Sequence, residues 1–258
     1  NIGLAALNHE SAHGFFPSSG WGYTSSGDPD SGFGKNQPGG WIYDVYAFME
    51  GTDIWNIGKG MSGRGSGGDK YNALALQRAA VVPLMHCPSR REAKGYPVTE
   101  PSDNAAQPKT ESKTDYAANG GTLSNHLGRV DTVRCFDQYP DCGFQDVKAS
   151  GRGQTFDGIS TLLSEVTIGQ IPDGTSKTVF VGEKYLNPDS YDDGTDHADN
   201  NSVYVGFDWD FQRWTFQVPI EDRRGQADYY SFGSAHQAGF HMALCDGSVR
   251  TINYSIES

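Results

Sequence analysis

Two periods of apolar spacing run along the chain. Ile2, Leu4, Ala5, Leu7 and Ala12 form an apolar stripe at mostly helical spacing, ended by Gly14 and Pro17, so residues 1–16 are expected to be the end of a helix. Residues 41–50 (WIYDVYAFME) recover enough of that period for a second helix, and residues 72–80 for a third. In the second half the period shortens. Residues 177–183 (KTVFVGE) read as a strand, residues 203–210 and 214–218 as further strands, and residues 81–86 and part of 158–171 as short ones. Residues 240–245 and 248–254 flank Asp246-Gly247, a pair that favours a two-residue type I′ hairpin turn. That turn sets Leu244 opposite Val249 and Met242 opposite Thr251.

Between these elements lie Gly-, Pro- and Ser-rich stretches, residues 17–40 and 58–68, and a polar stretch, residues 92–113, expected to be an exposed loop. Helix first and antiparallel strands afterwards is an α+β order. The expected architecture is one domain, 1–258: the helix end 1–16, a loop-rich helical and β part 17–150, and a β-rich part 151–258 closing on the hairpin. The chain starts inside an amphipathic segment without Met, which predicts a natural N-terminal stretch ahead of it.

Composition sharpens this picture. With 33 Gly, 12 Pro, 12% aromatic and only 36% hydrophobic residues, many turns around a modest core fit better than a helical bundle. The formal charge of -12 argues against a nucleic-acid partner, since phosphate neutralisation needs clustered Lys and Arg. No apolar run approaches the roughly 18 residues of a membrane span. Four cysteines without CxxC spacing argue against a zinc knuckle and for an oxidising, extracytoplasmic compartment. Cys135 and Cys142 bracket a short loop that a disulfide could close; Cys87 and Cys245 pair only if their strands are neighbours.

Three features carry candidate chemistry. His9-Glu10-Ser11-Ala12-His13 is a literal HExxH on a predicted helix, where two histidines at i and i+4 could grip zinc and Glu10 act as general base of a hydrolase. Gly14 and Pro17 cut that helix off and no third histidine follows, so polar positions on an amphipathic helix are the plainer reading. The second feature is acidic: Asp189, Asp192, Asp193, Asp196, Asp199, Asn200, Asp208 and Asp210, with Glu183 just before. Such hard oxygens suit calcium, with Asp199, Asn200, Asp208, Asp210 and Glu183 as candidate ligands, and Arg213 is a candidate partner for one of the carboxylates. The third is a GxGxxG match at 58–63, which lacks the strand before and helix directly after that a dinucleotide site needs. No G-x-S-x-G elbow is present, and Trp21, Trp41, Trp55, Trp209 and Trp214 serve core anchoring or sugar binding.

Six blocks in order carry a resemblance: IGLAALNHESAHGFFPSSGWG, GDPDSGFGKNQPGGWIYDVYAFMEG, CPSRR, TDYAANGG, IPDGTSKTVFVGEKYLNPDSY and FGSAHQAGFHMALCDGSV. The chain resembles the bacterial prepilin-type domain of unknown function with a His-x9-Asp-Gly motif, here His236, Asp246 and Gly247, a family expanded in planctomycete-like bacteria and sometimes labelled solute-binding-like. The resemblance implies a pilin- or pseudopilin-like subunit: an N-terminal helix packed on an antiparallel sheet, a membrane link only through a preceding helical half, and like subunits as partners. It also implies support for calcium at the acidic loops, since pseudopilins often carry such a site. The expected function is a non-enzymatic, periplasmic or surface subunit that assembles through its N-terminal helix. A secreted glycan- or solute-binding module and a zinc-dependent hydrolase using His9, Glu10 and His13 are the alternatives.

Overall fold

A computed structural model describes residues 1–122, 135–142 and 156–256. The expected division at 150/151 lies outside the described residues. Four helices are followed by short strands: α1 (Ile2–His13), α2 (Trp41–Tyr46), α3 (Thr52–Trp55), α4 (Gly68–Ala79), β1 (Tyr116–Asn119), β2 (Val179–Glu183), β3 (Gln212–Arg213), β4 (Ile220–Glu221), β5 (Gly233–Ser234), β6 (Phe240–Leu244) and β7 (Val249–Ile252). This is the expected α+β class. The main sheet has the order β3-β1-β2-β6-β7, and β4 and β5 form a second, two-stranded sheet. The pairs of the main sheet are antiparallel except that β3 runs parallel to β1, and β4 and β5 are also parallel, where an antiparallel sheet is expected.

The expected N-terminal helix forms, although Leu4 and Ala12 of its apolar stripe face outwards. Gly14 ends it in a left-handed conformation (φ 82°), its N–H donating to the Glu10 carbonyl. The helix buries Gly3, Ala5, Ala6 and His9, and its backbone comes so close to the sheet that a Cβ on Gly3 would stand 3.2 Å from the Ala243 Cβ. Small residues therefore set how deeply α1 seats on β6. Around it lies the main core, where Trp41, Tyr43, Val45, Phe180 and Tyr204 are fully enclosed. The Trp41 indole N–H donates to the Phe211 carbonyl at 3.0 Å, so a polar atom carried inside finds a partner.

Where the fold departs from expectation, the backbone has a local reason. The hairpin pairs Ala243 with Val249 and Met242 with Arg250, one residue off the expected register. Asp246-Gly247 is part of a three-residue loop, with Gly247 N–H donating to the Leu244 carbonyl (2.9 Å) and Leu244 N–H to the Ser248 carbonyl (2.8 Å). Gly247, at φ 81°, is the left-handed bulge residue that closes such a loop, and the slip leaves Val249 on the solvent side. The helix expected over 41–50 stops at Tyr46, because Glu50 takes φ 61° and the Gly51 N–H turns back to the Tyr46 carbonyl. The strand expected over 81–86 is a 3-10 turn, Pro83–Met85, with proline at its first position.

Residues 203–210 and 214–218 form no strand. The Gly206 N–H is shared between the Gly22 and Ser25 carbonyls, and a Cβ there would meet the Gly22 nitrogen at 2.5 Å, so this apolar run is a buried turn. Residues 158–171 contain a 3-10 turn, Ile168–Gln170, instead of a strand. Residues 92–113 are not uniformly exposed: Tyr96, Asn104, Glu111, Ser112 and Lys113 are buried.

Charged side chains enter the interior in pairs. Arg90 lies between Asp115 and Asp222, and Arg91 between Asp115 and Asp199. Lys184 reaches Asp199, while Glu111 joins Arg78 and Lys113. Each of these side chains is at most 3% exposed. A cation so deep is tolerated only when a carboxylate and further hydrogen bonds meet it, and here they tie loops from both halves of the chain together.

Candidate functional site

Beside this charged interior, three separate stretches bring reactive atoms together. Cys87 follows the 3-10 turn at Pro83–Met85, Glu183 ends β2, and His236 stands between β5 and β6. His236 Nε2 lies 3.6 Å from Cys87 Sγ and 3.5 Å from Glu183 Oε1. Among the described residues, these three form the group of His, Cys, Asp or Glu whose ligand atoms lie mutually within 4.8 Å. His241, the second residue of β6, places Nδ1 3.0 Å and its backbone N–H 2.7 Å from Glu183 Oε2. Cys87 and Glu183 are buried, whereas the His236 side chain is 33% exposed and that of His241 50%. The group is therefore rooted in the interior and reached from solvent through its histidines.

The support beneath it is the charged interior. Asp115 Oδ2 accepts from the Cys87 backbone N–H at 2.6 Å, while Oδ1 faces Arg91 Nε at 2.9 Å and Arg90 Nη1 at 3.4 Å. Tyr116, next in sequence, pairs across the sheet with Glu183. Burial, then the neighbouring Glu183 carboxylate and Cys87, push its phenol well above the ordinary value. Burial likewise pushes the Cys87 thiol up, with the Glu183 charge adding to it against a backbone hydrogen bond and Arg90. This is not the surrounding that makes a nucleophile, which needs a lowered thiol pKa. Nor is it a triad, in which the imidazole would turn one nitrogen to sulfur and the other to the carboxylate: here Nε2 faces both.

The HExxH histidines belong to a different kind of place. His9 is fully buried, with Nδ1 2.9 Å from the Phe15 carbonyl and its ring edge-on to Phe15, Phe33 and Phe48. His13 lies over Phe33 at 4.1 Å, and the two imidazoles pack at 4.8 Å. Burial lowers the His9 pKa to about 4, and it pushes the nearby Asp44 carboxyl well above its ordinary range. The residues expected to serve a zinc hydrolase, His9, Glu10 and His13, therefore stand in an aromatic nest, with His9 enclosed and Glu10 and His13 half-buried, and among the described residues they join no third ligand atom.

The acidic residues divide. Asn201 links Asp210 (backbone N–H to Oδ2, 2.6 Å), Asp208 (side-chain amide, 2.6 Å) and Asn200 (3.0 Å). Asp199 instead carries bidentate contact from Arg91 and a 3.0 Å bond from Lys184, which hold its carboxyl well below the ordinary range despite burial. Glu183 turns to His236 and His241, on the strand face opposite its neighbour Lys184. Arg213 bonds the carbonyls of Trp209, Gln212 and Tyr185 rather than a carboxylate.

Of the motif residues, His236 joins the Cys87–Glu183 group, while Asp246 stays in the hairpin loop, its carboxylate accepting from Ser248. Cys135 and Cys142 form the expected disulfide. Cys87 and Cys245 do not pair: Cys245 faces the helix-side core, where burial pushes its thiol up to about 12, and Cys87 faces His236. Trp21, Trp41 and Trp214 are fully enclosed and Trp55 nearly so, which leaves Trp209, half-buried and stacked on Tyr229 at 5.7 Å, as the tryptophan able to meet a solute. Glu183 lies apart from the acidic residues with which its sequence position groups it, and the segments CPSRR, VGEKY and GSAHQAGFH are the signal in the sequence for the three residues that meet here.

The family model described as a protein of unknown function (DUF1559), with the label SBP_bac_10, matches residues 1–258. No curated protein and no solved structure matches the chain.

Proposed function

We propose, for a chain that belongs to the DUF1559 family over its whole length, a non-enzymatic, extracytoplasmic, pilin-like subunit that assembles with like subunits through its N-terminal helix. The observation that carries this reading is α1. One side of it is seated on β6 through Gly3, Ala5 and Ala6, while Leu4, on the other side, is 59% exposed. The exposed side of α1 carries Leu4 beside Asn8, Ser11 and Ala12, so Leu4 is the large apolar side chain this helix offers to a second subunit. The Cys135–Cys142 disulfide supports an oxidising compartment. In this reading Arg91 and Lys184 supply at Asp199 the positive charge expected of calcium.

Leu4→Glu tests it. Self-association followed by analytical ultracentrifugation is expected to weaken in Leu4→Glu and to persist in Leu76→Glu, a substitution at an equally exposed leucine on α4, with melting temperatures unchanged in both. A chain that associates equally well with either substitution, or stays monomeric throughout, overturns the reading.

A second reading, a solute-binding module, is favoured by a groove of about 770 Å³ lined by Leu84, His86, Pro88, Arg90, Arg91 and Tyr116. Its volume falls in the range of small-molecule sites, about 300–1,000 Å³. A saturable rise in melting temperature with a small anionic or sugar ligand, unaffected by Leu4→Glu, would favour it.

A further inference from the structure

We propose that Cys87, Glu183 and His236 form a zinc-binding site. The proposal does not depend on the assembly reading. Ligand atoms held by one tetrahedral zinc, at about 2.0–2.3 Å each, stand roughly 3.3–3.8 Å from one another. Two of the three separations in the protein, 3.6 Å from sulfur to Nε2 and 3.5 Å from Nε2 to Oε1, fall in that window, and the third, from sulfur to the carboxylate, is within 4.8 Å. Hydrogen bonding accounts for them less well. At 3.5 Å the imidazole–carboxylate contact is longer than an N–H···O bond, and one nitrogen has to serve both a thiol and a carboxylate. A cation between the three atoms satisfies them together.

The chemistry of the donors selects the ion. Sulfur, imidazole nitrogen and a single carboxylate oxygen suit borderline-soft zinc, whereas calcium and magnesium call for oxygen alone. The surroundings are arranged for it as well. Both donors from His241 fall on Glu183 Oε2, which fixes the carboxylate and leaves Oε1 for the ion. Asp115 fixes the Cys87 backbone from the other side. With Cys87 and Glu183 buried and His236 one-third exposed, the ion enters past the imidazole. Three protein ligands leave a fourth position towards solvent, for water or an anionic solute. On binding, the Cys87 S–H proton passes to solvent as the S–Zn bond forms, so affinity falls as pH falls.

The test uses the whole chain, stripped with a chelator, titrated with Zn2+ against a colorimetric competitor and with Co2+ for its optical spectrum. One equivalent of Zn2+, a rise in melting temperature and a Co2+–thiolate charge-transfer band are expected. Cys87→Ser removes the band, and Cys87→Ser and His236→Ala each lower Zn2+ affinity by about a hundredfold, the upper end of what even outer-shell changes cost. His13→Gln, in the other histidine group, leaves affinity unchanged. Melting without metal checks that each variant is folded. Should Glu183→Gln fail to fold, the partly exposed His236 and the Co2+ band decide. No stoichiometric zinc, a cobalt spectrum without thiolate, or full affinity in His236→Ala overturns the proposal.

Discussion

The two histidine pairs of this chain, His9 with His13 and His236 with His241, stand in opposite surroundings. The first adjoins Phe15, Phe33 and Phe48, with His9 entirely enclosed. The second adjoins a carboxylate and a thiol, with its rings one-third to one-half exposed. A local motif at i and i+4 guarantees only that two side chains share a helix face; what that face packs against decides their chemistry. Where the face is core, imidazole becomes a neutral aromatic. Where three backbone segments converge on a charged foundation, an imidazole stays wet and able to take a ligand.

The foundation is the sharpest way to break the comparison. Asp115→Ala removes the carboxylate shared by Arg90 and Arg91 and the acceptor of the Cys87 N–H. Stranding buried guanidinium charge costs about 3–5 kcal/mol, so the urea midpoint should drop sharply and zinc affinity with it. A loss below about 1 kcal/mol would mean that Asp222 and Asp199 hold the arginines unaided.

Next in size is the acid response of the enclosed pair. His9 has a folded-state pKa near 4, against an ordinary value of 6.5, so the folded chain binds fewer protons in that interval. Its contribution is present above the unfolded pKa and is lost as pH falls from 6.5 to about 4, on the order of 3 kcal/mol. Asp44, 3.8 Å away and raised by burial, acts with the opposite sign, favouring the fold at low pH. Denaturant melts of the chain and of His9→Phe over this range separate the two: the difference between them should narrow on acidification, and a constant difference would place His9 in water.

Some of this was legible beforehand, for identifiable reasons. α1, α4, β2 and the apolar runs of the hairpin carry their period and their stop signals in a few consecutive residues. β1 does not: Tyr116-Ala117-Ala118-Asn119 has little strand propensity, and it is a strand because β2 and β3 flank it. Residues 203–210 alternate well enough for a strand, yet carbonyls at Gly22 and Ser25 bend them into a turn. At the candidate site His236 was visible as a motif residue, but Cys87 is 149 positions away, and no local pattern encodes that contact. Glu183 was misplaced by its sequence neighbours, since strand alternation sends it to one face and Lys184, which meets Asp199, to the other.

The smallest expected effect is the most discriminating. Without metal, His236→Ala and His241→Ala should change stability by no more than about 0.5 kcal/mol, as exposed positions do. The His236 ring is one-third exposed, its contacts to Cys87 and Glu183 are long, and Ser234 holds its backbone N–H independently of the ring. His241 is half exposed, and its backbone N–H would still reach Glu183 after the ring is gone. A larger loss, measured by urea unfolding in chelator, would mean that His236 and His241 support the fold as His9 does, and the difference between a structural and a ligand-ready histidine pair would disappear. If the loss is small in chelator and grows when zinc is added to the unmodified chain, the increment is the binding energy that N–S–O convergence makes available.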